Sequence, residues 1–209
     1  MERKPWEIIG LNLIPVIGYW FFNWSMFSIV YIFWTEAVII AFYYVLEKFL
    51  ARGREPVLAQ PTLFVRIVKS VQLLAIRWGI MLFYWIFILV FIALGQGKLN
   101  QEDSLSNLKI LVFQDDSFNI AVLVFALNGL LHLIQNFILT DRYKSALMSD
   151  YKSVFDSRTI IIHVVIVLGT FLHQYLMSYV HINSRLPGLG FVLILSSMKT
   201  IADLFFRKK

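Results

Sequence analysis

The amino-acid sequence predicts an all-α fold: a polytopic transmembrane helical bundle of six spans with one cytoplasmic, interfacial amphipathic helix. Three observations predict it. Of 209 residues, 59% are hydrophobic and only 15% charged, and the mean hydropathy is +0.72, a composition unlike that of a soluble domain. The apolar residues form uninterrupted runs near the roughly 20 residues that cross a bilayer, rather than one core stripe per helix. Lys and Arg collect in alternate loops, the asymmetry expected of a multi-span chain. Together these exclude a soluble enzyme, a nucleic-acid-binding domain and a secreted scaffold. The net charge of +6 is therefore read by its placement and not as affinity for nucleic acid. With no cysteine, disulfides, thiolate metal sites and thiol catalysis are excluded too, and His and carboxylate remain as ligand types.

Met1 to Glu7 carry charges but no short apolar stretch ending in a small-residue cleavage site, so the first run reads as a permanent span. It covers about 7–24 and contains Pro15, which should kink it. The turn Asn23, Trp24, Ser25 leads into a second span of about 26–47, giving a tight helical hairpin. Residues of about 62–76 follow as an amphipathic helix. Thr62, Arg66, Lys69, Ser70 and Arg77 fall within about 100° of one another, and Leu63, Phe64, Val65, Val68, Val71 and Leu74 fill the rest. It reads as anchored on the cytoplasmic leaflet, with Arg66 and Lys69 as candidate lipid-headgroup contacts. The third span, about 77–96, is nearly all apolar and is expected at the periphery. Further spans are placed at about 117–140, 158–180 and 187–206. No internal repeat, low-complexity tract or soluble domain interrupts 1–209, which reads as a single transmembrane domain.

Fifteen of the nineteen basic residues lie on one side if the N-terminus is cytoplasmic. They are Arg3, Lys4, Lys48, Arg52, Arg54, Arg66, Lys69, Arg77, Arg142, Lys144, Lys152, Arg158, Arg207, Lys208 and Lys209. The opposite loops hold Lys98, Lys109 and Arg185, and Lys199 falls within the last span. The expected location is the cell membrane, inner or plasma, with both termini cytoplasmic.

Polar side chains facing lipid cost at least a few kcal/mol, so polar residues on one helical face mark the surface turned toward protein or water. Asn128, His132, Gln135 and Asn136 share such a face in the fourth span; His163, Thr170 and Gln174, with His173 beside them, do so in the fifth. Ser196, Lys199, Thr200 and Asp203 form one in the sixth, Asn12, Tyr19 and Asn23 one in the first, and the second offers Glu36 and Tyr43. By helical rise Glu36 lies near the midplane, His132 and Lys199 lie closer to the cytoplasmic face, Asp203 and His163 closer still, and His173 in the outer half. One inward cluster of Glu36, Asn128, His132, Asn136, His163, Lys199 and Asp203 is geometrically possible, with Asn12, Arg77 and His173 as secondary members. Taken singly, Lys199 and Asp203 read as a local i,i+4 ion pair whose lysine stem reaches the headgroups, and the Asn and Gln residues as helix-to-helix hydrogen bonds. A carboxylate at Glu36's depth must be protonated, paired or hydrated, which makes it the sharpest candidate.

His132, His163, Glu36 and Asp203 are the right ligand types for a divalent metal, although no HExxH or HxxxH pair organises them. His132 and Asn136 match the HxxxN pattern of rhomboid proteases, but the following GxSG serine is missing. The leading reading is a membrane protein whose buried, protonatable cavity binds or passes an ion or small polar solute. A pore shared between copies in a homo-oligomer would compensate for the short chain. The alternatives are a membrane-embedded, metal-assisted hydrolase or lipid-modifying enzyme, and a structural or accessory subunit.

Several short pieces, in order along nearly the whole chain, resemble a known family. They are Asn12-Leu13-Ile14-Pro15 with Trp24, Trp34-Thr35-Glu36, Leu131-His132, Ile162-His163 with Gly169, and Lys199-Thr200-Ile201-Ala202-Asp203. The family comprises short prokaryotic multi-span membrane proteins and carries only a domain-of-unknown-function label. The resemblance implies that Glu36, His132, His163, Lys199 and Asp203 occupy the family's characteristic polar positions; it implies no activity. The chain departs from the family at Arg77-Trp78-Gly79, where His-Tyr-Gly is usual, and at Ala37, where asparagine is usual. If the family's histidines form a metal site, loss of that imidazole implies either that this chain lacks the site or that Arg77 turns the pocket toward an anionic group such as phosphate or a lipid headgroup.

Overall fold

The computed structural model describes residues 5–53, 62–88, 109–151 and 185–205, with Val164, Val167 and Phe171 singly. The described residues are helical, without strands. Five long helices account for them: α1 (Pro5–Phe21), α2 (Met26–Leu50), α3 (Leu63–Ile88), α4 (Asp116–Leu133) and α5 (Arg185–Phe205). A π-helical turn, Ile134–Ile138, continues α4, and a helical turn at Arg142–Ser145 and a 3-10 turn at Met148–Tyr151 follow.

The start of the chain folds as its turn chemistry directs. Helix α1 continues through Pro15 and ends where the N–H groups of Phe22 and Trp24 both donate to the Gly18 carbonyl at 3.1 Å. Asn23 takes a left-handed φ of 55°, a conformation its short polar side chain tolerates. Ser25 then caps α2, its side chain accepting from the Ser28 N–H at 3.2 Å. Asp115 does the same for α4, accepting from the Phe118 N–H at 2.8 Å. The Trp24 indole N–H donates to Ser117 Oγ at 2.8 Å, tying the starts of α2 and α4 together.

Helix α2 is the centre of the bundle, with α3 along one side and α4 along another, while α1 packs chiefly on α5. Contacts along each pair give the directions. Arg66 reaches the Ala51 carbonyl, Arg77 lies over Tyr44, and the Trp34 indole donates to the Met81 carbonyl at 2.8 Å, so α2 and α3 are antiparallel. Tyr31 stacks on Phe118 with centroids 5.5 Å apart, and the Tyr43 hydroxyl donates to the Ala126 carbonyl at 2.9 Å, so α2 and α4 are parallel. Asn12 meets Lys199 and Asp203 while Tyr19 lies against Gly188, so α1 and α5 are antiparallel. Pro5 and Phe205 consequently lie at one end of the bundle, the terminal end, together with the end of α2 and the start of α3.

Two expectations are corrected. Four helices among the described residues are long and apolar enough to cross a membrane, not six: Met26–Leu50, Leu63–Ile86, Lys109–Ile138 and Gly188–Phe205. Helix α1, at 17 residues, is shorter than these, and the expected span at about 158–180 lies almost wholly outside the described residues. Second, the amphipathic segment and the third span are one continuous helix, α3, because nothing between Ile76 and Trp78 breaks it. Its amphipathic half is also turned the other way from an interfacial helix. Arg66, Ser70 and Arg77 face α2, while Phe64, Val68 and Val71 point outward.

Candidate functional site

At mid-bundle, three helices bring four polar side chains into one dry cluster. Glu36 lies ten residues into α2, about 15 Å below its first turn, and Lys199 and Asp203 stand one turn apart on the same face of α5. Asn12 comes from α1. Lys199 is 1% exposed, and its ammonium donates to Asn12 Oδ1 at 2.7 Å and Asp203 Oδ2 at 2.9 Å and forms an ion pair with Glu36 Oε2 at 3.0 Å. Asn12 Nδ2 donates in turn to Asp203 Oδ2 at 3.3 Å. The Phe33 ring, its centroid 5.9 Å from Lys199 Nζ, walls one side. Lys199 therefore does not run its stem out to a headgroup. Its amine is the hub that joins α1, α2 and α5.

Among the described residues the cluster brings two carboxylates to one ammonium, all buried. Buried charges persist only when paired and hydrogen-bonded, so a proton or a small cation taken up beside them alters the balance of the cluster. Among the described residues no three His, Asp or Glu side chains come together as a metal-binding group. The Lys199 ammonium itself stands between Glu36 and Asp203, the place a metal shared by those two carboxylates would need.

The remaining sequence candidates separate from this centre. His132 is buried near the end of α4, but the parallel register with α2 sets its level. Gly129 lies against the Tyr43 ring, so His132 is about one turn past that contact and Glu36 two turns before it, an axial offset of about 15 Å. Asn128 is half-buried beside the same contact; its Oδ1 is enclosed and has no hydrogen-bond partner among the described residues. Asn136 does not join any cluster. It is exposed on the π-helical turn, which rotates the chain after Leu133 and breaks the face it would share with His132. His163 and His173 lie outside the described residues, and so does the expected approach of His132 to His163. Arg77 is buried, its guanidinium 4.1 Å from the Tyr44 ring centroid. Arg66 turns inward to donate to the carbonyls of Phe49 and Ala51, whereas Lys69 is exposed.

Sequence reasoning missed Glu47 and Tyr151 and placed Lys48 in a loop and Ser70 on an interfacial face, whereas all four are buried near the terminal end. Glu47 had a readable signal. It falls 11 residues, almost three helical turns, after Glu36, so Glu36, Tyr43 and Glu47 lie on one face of α2. Lys48 was hidden by counting it as a loop charge. Around Tyr151 the Tyr44 ring packs edge-on at 5.0 Å, and burial, with the Glu47 carboxylate adding to it, pushes the Tyr151 hydroxyl well above its usual ionisation range.

Neither the curated proteins nor the solved structures contain a match to this chain. A family model does match, over residues 2–209, and its extent takes in Asn12, Glu36, His132, Lys199 and Asp203 together. The chain belongs to this family, described as a family of unknown function (DUF6498).

Proposed function

We propose that the protein is a multi-pass membrane protein that takes up and releases a proton or a small monovalent cation at the Glu36, Lys199, Asp203 cluster and thereby passes it through the bilayer. The carrying observation is the make-up of a buried site: among the described residues two carboxylates lie 2.9 and 3.0 Å from one ammonium, all three shielded from the surface. A cluster built only to hold helices together has no need of the second acid, because a single pair already satisfies the lysine and an apolar replacement of the same shape holds helices as well or better. Polar groups at graded depth support the same reading. Below the cluster, Tyr43 and then Glu47 continue the Glu36 face of α2 toward the terminal end, with His132 of α4 at the level of Glu47.

In this reading the four long apolar helices cross the membrane around the cluster, with both termini in the cytoplasm of a cell-membrane protein. A homo-oligomer would extend the pathway to the outer face. A metal-assisted enzyme is less well supported, since Lys199 occupies the position between its two acidic ligands. The test is proton flux into liposomes loaded with a pH-sensitive dye. Protein-containing vesicles should acidify faster than empty ones after a pH jump, and Glu36→Gln, which keeps an acceptor for Lys199, should slow that rate at least about tenfold. Rates equal to empty vesicles at several pH values, for folded protein, would remove the proposal.

A further inference from the structure

The seam of α2 and α3 at the terminal end gathers buried donors with too few acceptors. Lys48 is 9% exposed, yet its ammonium makes one hydrogen bond among the described residues, a long 3.4 Å contact with the Tyr151 carbonyl. Two of its three protons are left over. Ser70, 4% exposed, has a hydroxyl with no hydrogen-bond partner among the described residues, and Arg66 Nε is buried in the same state. These groups are neighbours by register. Arg66 on α3 meets Phe49 and Ala51 on α2, and Leu73 packs with Val45, so Ser70, between Arg66 and Leu73, stands opposite Lys48. Lys69 and Arg77 are close enough to add their positive charges to that of Lys48. The nearby acid, Glu47, acts on the Tyr151 hydroxyl.

A buried ammonium beside other cations and unfilled donors is costly in isolation and becomes favourable when one polyvalent oxyanion meets all of them. Phosphate oxygens fit, since each accepts more than one hydrogen bond and the group carries a charge opposite to that of Lys48 and Lys69. The position fits as well: the outward face of α3 here is Phe64, Val68 and Val71, so the donors sit at a helix seam flanked by an apolar surface, at the end of a bundle where headgroups would lie. We propose that the terminal end of the α2/α3 seam is a binding site for a phosphate group, held by Lys48 and Ser70 with Arg66 Nε and the charges of Lys69 and Arg77. Arg66 contributes in two ways, because its other nitrogen fixes the end of α2.

The test uses the full chain in detergent and reads both thermal stability and native mass spectra. Three probes are compared: phosphatidylglycerol, diacylglycerol with the same acyl chains, and inorganic phosphate. Phosphatidylglycerol should raise the melting temperature and remain bound in the mass spectrum, and diacylglycerol should do neither. Lys48→Gln should weaken the lipid effect about tenfold, Ser70→Ala by a smaller factor, and Lys48→Arg should retain it. An equal response to inorganic phosphate supports the site and assigns free phosphate as its source; a response to the lipid alone assigns the headgroup. Equal effects of phosphatidylglycerol and diacylglycerol, or a lipid effect unchanged in both Lys48→Gln and Ser70→Ala, would overturn it. If Lys48→Gln fails to fold, Ser70→Ala and the three-probe comparison on the native chain still decide.

Discussion

Lys199 is the residue on which most of the buried polar structure depends, because its single ammonium links three helices. Replacing it with methionine removes one charge and leaves two carboxyl groups facing each other in a dry site. Lys199→Met should therefore destabilise the protein by about 3–5 kcal/mol, measured by denaturation in detergent. Adding Glu36→Gln and Asp203→Asn should recover a large part of that loss, since the penalty comes from orphaned acids and not from missing volume. An unchanged stability in Lys199→Met would mean that the cluster does not hold α1, α2 and α5. Tyr151 offers a second test at this scale. With its ionisation raised by burial and by Glu47, its contribution to stability is complete below about pH 10, where a free tyrosine ionises, and is lost as pH climbs toward the folded value. Tyr151→Phe should therefore lose less stability on alkalinisation than the native chain, as followed by circular dichroism. The members of the central cluster were legible in the sequence because each breaks an apolar run. Which of them meet was not, since pairwise distance depends on helix register: His132 shares a depth range with Lys199 on paper, yet the parallel packing of α2 and α4 sets it about 15 Å from Glu36.

Helix α3 shows how an amphipathic pattern can be read with the wrong face outward. The wheel of Thr62, Arg66, Lys69, Ser70 and Arg77 is the same whether its polar side meets water or a neighbouring helix. What decides between them is a partner with unmet acceptors, here the last carbonyls of α2, which Arg66 caps. Arg66→Ala should accordingly leave α3 helical and speed hydrogen exchange in the last turn of α2, at Lys48 to Ala51, more than elsewhere. Helix α4 depends on a close approach. A Cβ at Gly129 would overlap the Tyr43 ring, so Gly129→Val must push α4 from α2 and should cost about 1–3 kcal/mol, with the Tyr43 to Ala126 hydrogen bond lost. The start of α2 was legible because Ser25 and the preceding Asn23 are local signals. The π-helical turn at Ile134–Ile138 was not, as no residue type there announces it.

For the whole molecule, the antiparallel pairing of α1 with α5 puts Pro5 and Phe205 on one side of the bundle. The side itself is open to experiment. Cysteine introduced at Ser104 should react with an impermeant maleimide added to intact cells, and cysteine at Ser153 should react only after permeabilisation. The reverse pattern would invert the orientation and move the Lys48 site to the outer leaflet. Composition made the helical character of the described residues, and the presence of helices long and apolar enough to cross a membrane, plain, because runs of apolar residues admit few other structures in lipid. Helix number was less accessible, since Arg66 and Arg77 end an apolar run on paper without ending a helix. The most direct measurement of the central claim is infrared difference spectroscopy of the purified chain between acidic and alkaline buffer, which reports protonated carboxyl groups by their carbonyl stretch. A carboxylic-acid band from a group shielded from water is expected in the native protein, diminished in both Glu36→Gln and Asp203→Asn and retained in Glu47→Gln. Absence of such a band across the pH range, with no monovalent cation dependence of the carboxylate bands in its place, would contradict it.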